Sequence, residues 1–264
     1  MMNRIEERMK ALQTSGKKAL ITYITAGLPN LDKTKELIIA QAEAGVDVIE
    51  LGIPFSDPVA DGPVIQAASY QAILNGTNVR KVFNMMEQLR RECSVPIIFM
   101  MYYNTLHHYG LEDFAVKCAA CGVDGLIVPD LPFEEQKPLQ EALARVQEAP
   151  ILIQLVAPVS KQRIPMLLEN ARGFVYCVSQ MGVTGKEANF YADIHDYLAS
   201  VKAVSKVPVM MGFGIRSAVD VQPVQDVIDG AIVGSAFIRL MEQTEFSAEA
   251  AKEYVSTFKT ELNA

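Results

Sequence analysis

The chain has 264 residues, half of them apolar and 21% charged, with 24 Lys and Arg against 31 Asp and Glu. The resulting net charge of −7 excludes a sequence-independent grip on nucleic acid, which needs a basic face. No apolar run approaches the roughly 20 residues of a membrane span, and the stretch 1–13 reads as an amphipathic helix rather than a signal peptide, so a cytoplasmic protein is expected.

After that N-terminal helix, short apolar and β-branched runs recur at 19–25, 46–51, 96–102, 125–129, 151–156, 174–178, 208–212 and 230–233, with helical stretches between them. Strands that alternate with helices form parallel βαβ units, and runs that are apolar almost throughout suit strands covered on both faces. Eight such units in about 250 residues predict an α/β fold, a single (β/α)₈ TIM barrel over 1–264 with an N-terminal extra helix. An open dinucleotide-binding sheet would show G-x-G-x-x-G after its first strand, whereas this chain has TAGLPN at 25–30. One junction repeats: Gly45-Val46-Asp47, Gly122-Val123-Asp124 and, in looser form, Asp229-Gly230-Ala231 each lead into a strand. In the first two, glycine suits a left-handed helix end.

Barrel enzymes carry their sites just beyond the strands, and the post-strand segments single out a few residues. Glu50 stands in an otherwise apolar strand, on the same face as Val46 and Val48. A buried carboxylate there is either a proton-transfer group with a raised pKa or one half of a structural ion pair. Asp61 ends a loop stiffened by Pro54, Pro58 and Pro63; it could be aimed at a substrate or could cap the helix that starts near Pro63. Asp57 and Asp130 read as loop-structuring residues. Cys118 and Cys121 form a C-x-x-C at the end of a helix, where no low thiol pKa is expected, so both read as core residues. The stretch 179–187, with Gly182 and Gly185, suits a mobile lid. Gly212-Phe213-Gly214 and Gly234-Ser235 follow the last two strands, where barrels commonly hold a phosphate on backbone N–H groups. No metal constellation is apparent: His107 and His108 are adjacent and His195 is distant.

These segments, in this order, resemble the alpha subunit of tryptophan synthase over nearly the whole chain. The stretch ELGIPFSDPVADGP at 50–63 is the most specific, and GVTG at 182–185, GFG at 212–214, GSA at 234–236 and MYYN at 101–104 fall where that family has them. The resemblance implies retro-aldol cleavage of indole-3-glycerol phosphate to indole and glyceraldehyde 3-phosphate, a lyase reaction of tryptophan biosynthesis. It implies no cofactor in this chain, and a beta-subunit partner carrying pyridoxal phosphate in an alpha2-beta2 complex. Glu50 would transfer protons to indole C3 and from the glycerol hydroxyl. Asp61 would bind the indole N–H and balance the positive charge on the ring. Tyr176 would lie near the glycerol phosphate, and Thr184 would sit in the lid and help place Asp61. Gly185, Gly214, Gly234 and Ser235 would hold the phosphate, while Ile65, Tyr102 and Phe213 would line the indole pocket. The chain departs from the family's frequent residues at Tyr23 (often phenylalanine), Gln180 (often arginine) and Arg216 (often smaller). Alternative readings are another phosphate-anchored barrel enzyme, a free-standing indole-producing lyase, and a mainly regulatory subunit.

Overall fold

A computed structural model describes residues 2–178, 187–212 and 214–264, without the side chains of 187–192. All its strands are parallel and belong to one sheet. They are β1 (Ala19–Thr25), β2 (Val48–Gly52), β3 (Ile97–Met100), β4 (Gly125–Ile127), β5 (Ile151–Leu152), β6 (Gln154–Val156), β7 (Val175–Val178), β8 (Val209–Gly212) and β9 (Gly230–Val233). The hydrogen-bonded order is β5-β4-β3-β2-β1-β9-β8-β7-β6. The fifth expected strand is thus two short ones. Residues 151–152 pair with β4 and residues 154–156 pair with β7, so this single extended segment links the two ends of the sheet around Ile153. The architecture is the expected TIM barrel, with helices packed outside.

Two apolar layers follow from alternation along the strands. Ala19, Ile21, Val48, Ile98, Ile127, Ile153, Phe174, Met210 and Ile232 fill the barrel interior. Leu20, Ile49, Leu51, Phe99, Leu126, Val175, Val209 and Val233 face the surrounding helices. The N-terminal helix (Arg4–Thr14) buries Ile5, Met9 and Leu12 along one face, and all three join the interior layer. Ile5 reaches Gly125 and Gly173 so closely that a Cβ at either glycine would press on it, so this helix packs against the floor of the barrel.

The repeated junction has a structural reason. Gly45 and Gly122 close the preceding helices at φ +91° and +67°, in the left-handed region that favours glycine. The aspartate that follows each turn reaches back to the preceding strand. Asp47 donates its N–H to the Leu20 carbonyl and accepts from the Leu20 N–H at 2.6 Å; Asp124 does the same with Ile97, and Asp229 with Val209. Nearby cations balance these carboxylates: Arg8 and Lys259 at Asp47, Arg4 and Arg90 at Asp124, Lys202 at Asp229. This bracing fixes strand register at the end of the barrel away from the post-strand loops.

Candidate active site

On β2 the inward residues Val48, Glu50 and Gly52 climb toward the barrel mouth, with Glu50 in register with Tyr23 of β1. Glu50 is only 4% exposed, and among the described residues no lysine or arginine pairs with it. The described residues thus supply no cation for the ion-pair alternative. Burial, and then the facing charge of Asp61, push its carboxyl up to about 8; desolvation disfavours the ionised form and a like charge adds to that effect.

Asp61 ends the loop that leaves β2. That loop is tied to the helix Pro63–Leu74 at two points. Ser69 Oγ accepts from the Phe55 N–H and donates to the Phe55 carbonyl, and the Gln66 amide donates to the Asp61 carbonyl at 2.9 Å. Pro63 opens the helix and Gly62 stands at its cap with no side-chain cap bond, so Asp61 is free of the capping role. Its carboxylate instead accepts from the Tyr102 hydroxyl at 2.9 Å, and that hydroxyl accepts from the Ala60 N–H at 3.0 Å. The Tyr102 ring stacks on Phe55 at 5.1 Å. Burial raises Asp61 to about 6, and the Tyr102 hydrogen bond opposes the rise. Near neutral pH the mouth therefore holds one protonated carboxyl, Glu50, and one carboxylate, Asp61. Environments that drive two acids apart in this way set up one proton donor and one anion.

Two tyrosines complete the described mouth. Tyr23 leans across Gly52 and Tyr176 leans across Gly212; a Cβ at either glycine would fall inside the tyrosine ring or hydroxyl. Burial keeps the Tyr176 phenol far above its ordinary pKa, with Glu50, Asp61 and Tyr23 adding to the effect. The structure thus brings Glu50, Asp61, Tyr102 and Tyr176 to one mouth. Ile65 is close by, its side chain 3.7 Å from where a Cβ on Gly234 would lie. At the neighbouring strand ends, Gly212 pairs with Ile232, so Gly214 and Gly234 each lie two residues beyond a paired position. Gly214 has φ +73°. Gly234 caps the helix Ser235–Gln243, which has no acidic side chain in its first turn, leaving that N-terminus open to an anion. Arg216 turns to Asp220 instead. Phe213, Thr184, Gly185 and Gln180, and with them the expected lid, lie outside the described residues.

Two signals were not legible as site features. Ser69 and Gln66 look like ordinary helix residues until the loop folds onto them. Gly52 looks like a strand-end glycine until Tyr23 fills the space beside it, and Gly212, singled out only as part of a phosphate-holding turn, makes the same room for Tyr176. Cys118 and Cys121 are buried free thiols held above the ordinary range, Cys121 at about 11, as expected of core residues. Asp130 accepts from the Tyr103 N–H at 2.9 Å, a loop-structuring role. No group of metal-ligating side chains occurs among the described residues, and no helix there is long and apolar enough to cross a membrane. A cavity of about 940 Å³ opens at the opposite end of the barrel. Its arginines are already engaged: Arg4 and Arg90 with Asp124 and the Gly122 carbonyl, Arg172 with Glu6.

Residues 9–264 match the family model of the tryptophan synthase alpha chain. The chain belongs to the tryptophan synthase alpha chain family. It is 63% identical to the alpha chain of Lachnospira eligens over the full length of both, and 42% identical to that of Alkaliphilus metalliredigens over 99% of this chain and 97% of the relative. Among solved structures, subunit alpha from Legionella pneumophila superposes with a TM-score of 0.90 at 33% identity, covering 99% of each chain. A tryptophan synthase structure from Mycobacterium tuberculosis superposes at 0.88 with 31% identity over the whole of both chains. Membership in the alpha chain family makes the mouth of this barrel the place to look for lyase chemistry.

Proposed function

We propose that this chain is a lyase that cleaves indole-3-glycerol phosphate to indole and glyceraldehyde 3-phosphate, acting as the alpha subunit of tryptophan synthase in tryptophan biosynthesis. The observation that carries the residue roles is the split state of the two mouth carboxyls, Glu50 near 8 and Asp61 near 6. Direct cleavage of the C–C bond would leave negative charge on indole. Protonated Glu50 gives its proton to indole C3, which makes the ring cationic. The Asp61 carboxylate accepts the indole N–H and stabilises that charge. As the C–C bond breaks and its electrons return to the ring, the glycerol hydroxyl becomes the aldehyde, and its proton returns to the Glu50 carboxylate. Glu50 ends the cycle protonated, as it began.

Gly214, Gly234 and Ser235, with Gly185, hold the phosphate. Binding energy from that remote group anchors the reacting atoms against the two carboxyls. Tyr176 lies beside the glycerol phosphate, and Ile65, Tyr102 and Phe213 line the indole side, with Thr184 helping to set Asp61. No step requires a cofactor in this chain. The partner is a beta subunit carrying pyridoxal phosphate in an alpha2-beta2 assembly. Its contact includes the loop with the exposed residues Asp57 and Val59, because that loop emerges at the mouth and leads directly to Asp61. The test is to incubate the purified chain with indole-3-glycerol phosphate and measure indole, with and without a beta subunit. Indole release that rises with the beta subunit is expected. A folded chain that releases none in either condition overturns the proposal.

A further inference from the structure

Tyr23 stands at the described mouth beside Glu50, Asp61, Tyr102 and Tyr176, and the proton chemistry above does not use it. Its position is unusual in three respects. It projects from β1 into the barrel at 4% exposure and stands in register with Glu50. Its hydroxyl occupies the space that a side chain at Gly52 would fill, so it lies in the layer immediately beyond Glu50 on the mouth side of β2. Its base adjoins the other neighbouring strand: the Tyr23 Cβ lies 3.7 Å from where a Cβ on Gly234 would be. The ring therefore spans the mouth from the turn after β9 to the space above Glu50.

The order of strands around the barrel gives that span a meaning. β1 lies between β2, which carries Glu50, and β9, which leads to Gly234 and Ser235. A substrate whose reacting bond sits at Glu50 and whose phosphate sits at the Gly234–Ser235 turn must carry its three-carbon chain across the end of β1. Tyr23 is the side chain that it crosses. The hydrogen bond to the Tyr23 hydroxyl among the described residues is a long one, 3.4 Å from Thr25 Oγ1, so the hydroxyl can turn its proton to an incoming acceptor. Burial, with Asp61 and Glu50 facing it, holds that phenol well above its ordinary pKa, so it stays a neutral donor. A buried hydroxyl held by one long hydrogen bond gains from a better-placed acceptor supplied by a ligand.

Resting on the proposed function above, we infer that Tyr23 is a specificity-determining residue whose hydroxyl donates a hydrogen bond to a hydroxyl oxygen of the phosphorylated three-carbon chain where that chain crosses the end of β1. The ligand class is a phosphorylated polyol chain attached to an aromatic ring. A chain of the same length without hydroxyls offers Tyr23 nothing.

The test compares wild type with Tyr23→Phe, which removes one oxygen and leaves the ring over Gly52. The ligands are indole-3-glycerol phosphate, read by kcat/KM for indole release, and 3-indolylpropyl phosphate, which lacks both hydroxyls, read by its Kd in calorimetry. Tyr23→Phe is expected to lower kcat/KM for the hydroxylated substrate by roughly 3- to 10-fold, the value of one neutral hydrogen bond, while the Kd of the deoxy ligand stays within about twofold of wild type. Thr25→Val, which frees the phenol to rotate, should give a smaller loss with the same selectivity. Equal losses on both ligands show a packing role and overturn the inference, as does the absence of any loss. A wild-type chain that releases no indole overturns the underlying function instead, which separates the two failures.

Discussion

Replacing Glu50 by glutamine should give a protein that is nearly inactive and, above neutral pH, more stable than the original. The carboxyl is buried, has no cationic partner among the described residues and is raised from 4.5 to about 8. Between those values the folded chain keeps a proton that the unfolded chain has lost. The stability this confers is fully present below about pH 4.5 and falls as pH rises toward 8. At 1.36 kcal/mol per pH unit, the interval corresponds to about 5 kcal/mol, an upper bound because a buried charge draws in water and relaxes its surroundings. Glutamine keeps the shape of the protonated acid and never ionises. Urea melts should therefore coincide at pH 4.5 and diverge as pH rises, with Glu50→Gln more stable by about 2–5 kcal/mol at pH 8.5. In the same samples, single-turnover indole release should fall by about 10²–10⁴-fold. A variant less stable than wild type across the whole range would show that Glu50 is held by a favourable charge interaction, and near-normal turnover would remove it from the chemistry.

Three further outcomes follow from the same geometry. The rate of indole release should be bell-shaped in pH, rising as Asp61 ionises near 6 and falling as Glu50 loses its proton near 8; Asp61→Asn should abolish the rising limb, and an unchanged limb would assign it to another group. Tyr102→Phe removes the hydrogen bond that opposes the rise of Asp61, so the acid limb should move to higher pH with a loss in kcat of roughly 3- to 10-fold; an unshifted limb in a folded variant would refute that link. Asp47→Asn leaves Lys259 and Arg8 without their carboxylate at the far end of the barrel and should lower stability by about 3–5 kcal/mol while KM and kcat of the folded fraction stay unchanged, which calorimetry beside steady-state kinetics would check.

The chain's own order of residues determined the repeating architecture, because periodicity is a local property. Apolar runs separated by helical patterns fix strands and helices through backbone geometry alone. Gly45 and Gly122 announce their turns because few other residues take their φ. Glu50 stood out for the same local reason, as one charge in an apolar strand, and the lone C-x-x-C at a helix end already read as core. The motifs at 50–63 and 234–236 carried the family. What the sequence left open concerns neighbours brought together only when the sheet closes. Asp61 could have capped the helix after Pro63 or faced a ligand; Gly62 takes the cap position and Tyr102, 41 residues away on the segment after β3, takes the carboxylate, which rules out the capping role. Glu50 could have been ion-paired; the strands beside it present Tyr23 and Ile98, neither of them a cation. The fifth strand reads as continuous, yet it must pair first with β4 and then with β7 to close the circle, and that hand-over splits it at Ile153. Gly52 carries no local sign that it makes room for a tyrosine from β1, since that need arises from strand register and barrel curvature, which no window of sequence contains.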